Sequence, residues 1–140
     1  MLSMQAKSHD LDHACSKEHE QEALSLAPTI RDWDALYSAF MHYQACDDGA
    51  IGEGFSESVA RILVDKRESI GRLARIAKGN PKFLRFVYRH IDASLDPKDL
   101  QHIHDDFVKY GCGSLSQSSC KKIRATVNDA LKDIKSPPTE

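Results

Sequence analysis

Apolar residues recur at three- and four-residue intervals along most of the chain, the spacing that gathers side chains on one face of an α-helix. Ile30, Trp33, Tyr37 and Phe40 form one stripe, widened by Leu36 and Tyr43. Ile51, Phe55, Val59, Ile62 and Leu63 form a second, and Ile70, Leu73, Ala74 and Ala77 a third. Phe83, Leu84, Val87 and Ile91 make a fourth, and Leu100, Ile103, Phe107 and Val108 a fifth. The sixth, Cys120, Ile123, Val127, Ala130, Leu131 and Ile134, is the longest and most regular. No run alternates apolar and polar residues with β-branched enrichment, so no strand is predicted. The pattern therefore predicts an all-α fold, a compact bundle of at least six helices.

Punctuation between the stripes supports this reading. Thr29 with Asp32 three residues later reads as a capping box, which satisfies the unpaired amides of a first helical turn. Asn80-Pro81 and Asp96-Pro97 each place a capping side chain before a proline, whose missing N–H costs nothing at the first helical position. Gly79 and Gly111 stand where helices stop.

At 140 residues the chain suits one core. Residues 29–135 are expected to form the helical domain. Residues 1–28 read as an N-terminal tail or a docked short helix, with Leu11, Ala14, Cys15, Ala23, Leu24 and Leu26 as its apolar side. Residues 136–140 read as a C-terminal tail. No internal repeat points to a solenoid, and no apolar stretch is long enough to span a membrane. Residues 1–10 lack the apolar core of an export signal, so the expected compartment is the cytoplasm for the chain as numbered, and the periplasm if a leader was removed.

Charge changes the picture more than composition does. The net charge of −2 hides an asymmetry: residues 1–60 hold eleven acidic and three basic side chains, whereas residues 61–90 hold nine basic and two acidic. Lys82, Arg85 and Arg89 are spaced to share one helix face, and Arg72 and Arg75 project from the preceding helix. These cations either form a face for an anionic ligand, an acidic protein or a nucleic acid, or balance the acidic first sixty residues within the molecule. A pI of about 6.4 lacks the basic excess that phosphate binding favours, so a protein is the expected partner and a nucleic acid the lesser alternative.

The most unusual segment runs from Cys46 to Gly54. Its Asp48-Gly49-Ala50-Ile51 is EF-hand-like, but that register puts Gln44 and Phe55 where the first and twelfth ligands should be carboxylates. Its glycines follow no strand and precede no Lys-Ser/Thr pair, which excludes a phosphate-cradling loop. What remains is a glycine-rich turn with acidic residues at a helix N-terminus, or else an acidic recognition patch of Asp47, Asp48, Glu53 and Glu57. His102, Asp105 and Asp106 fall on one helix face and could offer a nitrogen and two carboxylates to a metal, though further ligands would have to come from elsewhere. No metal or other cofactor is expected. His9, His13, Cys15 and His19 match no zinc-finger spacing.

Cys112 and Cys120 bracket a Gly/Ser-rich loop that can bring them to disulfide distance. The competing pairing joins Cys46 to Cys120, and in a reducing compartment neither forms. Cys120 could alternatively be a reactive thiol, since it opens a helix and precedes Lys121, Lys122 and Arg124. No histidine partner can be assigned to it, and G-x-S-x-G, H-E-x-x-H and C-x-x-C are all missing.

Trp33 on an early helix, Cys46 closing it and Cys120 opening a long last helix together give a layout that resembles small all-helical bacterial immunity-type proteins. These are periplasmic inhibitors that protect a cell from type VI secreted cell-wall amidases. The resemblance covers residues 30–134. It implies a protein that plugs a partner's active cleft, with the Cys46–Gly54 segment as the candidate plug. The expected function is thus binding and not catalysis: a protein-interaction or inhibitor module, compatible with a homodimer. The alternatives are an anionic-ligand or nucleic-acid binder using the basic segment, and a small enzyme using Cys120 or a His102 metal site.

Overall fold

The computed structural model describes residues 14–135, and within them the chain forms seven α-helices, three short 3₁₀ turns and no strand. In chain order the helices are α1 (Lys17–Leu26), α2 (Trp33–Tyr43), α3 (Gly49–Asp65), α4 (Ile70–Gly79), α5 (Pro81–Arg89), α6 (Pro97–Tyr110) and α7 (Gln117–Lys135). The 3₁₀ turns Ala27–Thr29, Gln44–Cys46 and Arg67–Ser69 follow α1, α2 and α3. The six expected helices are present, and α1 adds a further helix within the N-terminal segment, over Lys17–Leu26. Ala23 and Ala27 join the main core, so the helical unit begins before residue 29. The expected tail at 136–140, and His9 and His13, lie outside the described residues.

Local chemistry sets most of the helix starts. Asn80 accepts from the Lys82 amide and Asp96 from the Lys98 amide, each with proline in the first turn, as expected. Thr29 and Asp32 do not form a capping box. Asp32 is itself the cap of α2, accepting from the Ala35 amide at 2.8 Å, while the Thr29 hydroxyl turns back to the Leu26 carbonyl. Ile30 belongs to the connection and not to the helix, yet it is buried; an apolar residue just before a cap mimics the helical period. Gly111 closes α6 at φ +74°, a conformation in which other residues are strained. Gly54 has a different reason: a Cβ there would meet the Ala27 Cβ at 2.9 Å, so α3 crosses the first 3₁₀ turn in hard contact.

The core is continuous from Ala23 to Leu131. At its centre Phe40, Phe55, Phe83 and Phe86 form a connected ring cluster, with Phe40–Phe86 centroids 4.9 Å and Phe55–Phe86 centroids 5.7 Å apart. The fifth stripe is one residue too wide, because Phe107 is buried but Val108 is 60% exposed. Two disulfides complete the frame. Cys112–Cys120 joins the end of α6 to the start of α7, with α-carbons 5.7 Å apart. Cys46 pairs with Cys15 and not with Cys120, so the link across the first half of the molecule ties down α1.

Trp33 opens α2 at 1% exposure and fills the space beneath it. Trp33→Ala is expected to lower unfolding stability by about 3–5 kcal/mol, the range for large buried aromatics, measured by denaturant titration.

Candidate interaction surface

Three groups of polar side chains stand out, and only the first lies inside the molecule. Asp47, in the connection between α2 and α3, turns its carboxylate inward, where the side chain is 6% exposed. His90 Nε2 lies 2.9 Å from Asp47 Oδ2, and Arg89 Nη2 donates to the same oxygen at 2.9 Å. The other ring nitrogen, His90 Nδ1, lies 2.8 Å from Ser56 Oγ on α3. A carboxylate can only accept, so Nε2 carries the proton, and a neutral ring then accepts from the Ser56 hydroxyl at Nδ1. Burial pushes the Asp47 carboxyl up, but the hydrogen bonds from His90 and Arg89 outweigh it and hold the group below the ordinary carboxylate range.

The Ser56–His90–Asp47 order has the connectivity of a hydrolase triad, yet Ser56 and His90 are both buried, so the serine presents no nucleophile to a substrate. The arrangement is a structural tie between three segments. Neither Ser56 nor His90 stands out in the sequence by motif. The available signal is positional: His90 continues the Phe83–Phe86–Val87 face of α5, and a polar residue on such a face needs a partner.

Asp47 is therefore set apart from Asp48, Glu53 and Glu57, which are exposed. The Cys46–Gly54 segment is not a projecting loop, because α3 begins at Gly49 and Gly52 and Gly54 are helical. Asp48 is the N-terminal flanking residue of α3, and its side chain makes no capping bond. Glu57 borders an open cleft of about 410 Å³ shared with Arg61, Asp65, Asp96 and Asp99. Of the four acidic residues, Asp47 and Asp48 precede α3, while Glu53 and Glu57 lie one turn apart on it.

The basic residues divide into two kinds. Arg72 makes a two-pronged pair with Asp34 of α2, Nε–Oδ1 3.0 Å and Nη2–Oδ1 2.6 Å, and its hydrogen bonds hold the Asp34 carboxyl low. Arg89 is engaged with Asp47. Arg75, Lys78, Lys82 and Arg85 are exposed on the α4–α5 hairpin, and no salt bridge among the described residues involves them. Met41, 50% exposed, lies beside the turn of this hairpin: its sulfur is 3.8 Å from Asn80 Nδ2, between Lys78 and Lys82 in the sequence.

The remaining candidates resolve locally. His102 pairs with Asp106 at 3.2 Å and His104 with Asp105 at 3.1 Å. Among the described residues, no three His, Cys, Asp or Glu side chains gather as metal ligands would. Cys120 is bonded to Cys112, which removes the thiol that a cysteine-hydrolase reading requires. No helix is long and apolar enough to cross a membrane among the described residues. Comparison with known proteins finds no matching family model, curated protein or solved structure.

Since the folded Asp47 carboxyl titrates below its unfolded value of about 3.9, its contribution to stability is complete above that value and is lost as pH falls through the folded one. Asp47→Asn should cost about 1–3 kcal/mol at neutral pH, as expected when a polar tie of this kind is weakened. In denaturant melts across the acid range, the gap between variant and wild type should close as pH falls, because the wild type loses the same interaction.

Proposed function

We propose that the protein is a non-catalytic interaction module that binds an acidic face of a partner protein through the α4–α5 hairpin. One observation carries this reading: four exposed cations of the hairpin, Arg75, Lys78, Lys82 and Arg85, make no salt bridge among the described residues, and an exposed methionine, Met41, touches the hairpin turn at Asn80. Exposed cations steer an acidic partner and set its register, while a flexible apolar side chain beside the hairpin turn supplies contact area. A phosphate backbone would use the cations and gain little from Met41, which favours protein over nucleic acid. An inhibitor of the immunity type is one form such a module takes, and the reading then places its contact on the basic hairpin and not on the Cys46–Gly54 segment.

The test is affinity capture from an extract of the source cells, followed by binding measurements with the partner recovered. The triple variant Arg75→Glu, Lys82→Glu, Arg85→Glu should weaken binding by at least about tenfold and flatten its salt dependence, with the melting temperature little changed. Met41→Ala should weaken binding without altering the salt dependence. Undiminished binding by both variants, or salt-sensitive binding to DNA that Met41→Ala leaves intact, would overturn the proposal.

A further inference from the structure

We infer that the Cys15–Cys46 disulfide is a thiol–disulfide exchange site, open to a dithiol reductant, and that its reduction undocks α1 while the rest of the bundle stays folded.

The two disulfides differ in access. Cys112 belongs to the core and Cys120 packs against it. Cys15 is exposed, and Cys15 and Cys46 border an open cleft of about 300 Å³ whose rim includes Glu20, Leu24 and Asp48. Cys46 itself is buried. An incoming thiolate therefore reaches the sulfur of Cys15, bonds to it and expels Cys46 as a thiolate, which takes a proton from solvent. The second thiol of the reductant then displaces Cys15. Two thiols remain on this chain and one disulfide on the reductant, which has been oxidised by two electrons.

What the bond holds is weakly held otherwise. Ala23 is the one fully buried side chain of α1, Leu26 is half-buried and Leu24 is exposed. The polar ties are the Tyr43 hydroxyl, which donates to Glu22 Oε1 at 2.9 Å, and the edge contact of His19 on the Tyr43 ring. A helix of ten residues is marginal in water without tertiary support. Beyond α1 the anchoring is of another order. The Ala27 carbonyl accepts from the buried Ser58 hydroxyl at 2.9 Å, and Gly54 presses against Ala27. On the other side of the bond, Asp47 is gripped by His90 and Arg89 whether or not Cys46 is oxidised. Release is thus bounded at residue 27 on one side and residue 46 on the other.

The experiment is a stepwise dithiothreitol titration of the full chain, read by alkylation mass spectrometry and by amide hydrogen exchange. Cys15 and Cys46 should become alkylated at a reductant concentration that leaves Cys112–Cys120 closed. In that window the α1 amides should exchange at least about tenfold faster while those of α2 to α7 keep their protection. The double variant Cys15→Ser, Cys46→Ser should show the same exchange pattern without reductant. Simultaneous or earlier opening of Cys112–Cys120 would overturn the site. An α1 that stays protected after reduction, or a general loss of protection across the bundle, would overturn the latch.

Discussion

A carboxylate inside a protein has to be surrounded by donors, and the placement of Asp47 follows from that requirement. Buried without partners it would be strongly destabilising. With His90 and Arg89 from the end of α5, and Ser56 of α3 behind the imidazole, it joins the α2–α3 connection to the helix that follows it and to the end of α5, far away in sequence. The ring of His90 packs at 4.6 Å from that of Phe86, so the polar tie and the aromatic cluster share a wall. The end of α5 cannot shift without breaking both. That coupling fixes where the hairpin of α4 and α5 stands, and with it the orientation of the cations on its outer side.

Much of this architecture was legible in the sequence, and the parts that were not have a common cause. Helical stripes, the Asn80 and Asp96 caps and the burial of Trp33 are local properties, set by side chains a few positions apart. The Asp47–His90 pair spans 43 positions and the Cys15–Cys46 bond 31, and no periodicity reports which distant segments meet. Cys112–Cys120 was readable because only eight positions and a flexible loop separate them. Cys15 was hard to place since its surroundings read equally as tail or helix. The Thr29–Asp32 misreading is subtler: an apolar Ile30 in an extended link continued the helical rhythm one step too early.

The charge asymmetry resolves in a similarly mixed way. Two basic side chains, Arg72 and Arg89, are indeed answered from the acidic first sixty residues, by Asp34 and Asp47. The exposed Arg72–Asp34 pair contributes little to stability, whereas Asp47 is enclosed and matters more. Arg72 and Arg89 stand near the two ends of the hairpin in sequence, and the cations with no salt bridge among the described residues lie between them. Internal neutralisation and an outward-facing basic surface are therefore both present, on adjacent parts of the same two helices.

Trp33 carries a consequence of its own. Its indole N–H is buried and finds no hydrogen-bond partner among the described residues, an exception among interior polar atoms, and the ring lies in the apolar core at 1% exposure. An indole so placed emits near the blue limit of tryptophan fluorescence, and the chain holds one tryptophan, so that emission comes from a single known position. The molecule thus contains a built-in optical reporter at the first turn of α2, where the connection from the tethered α1 enters the main bundle. Water reaching the ring would shift the emission to longer wavelength, which distinguishes loss of the bundle itself from motion confined to the segment before it.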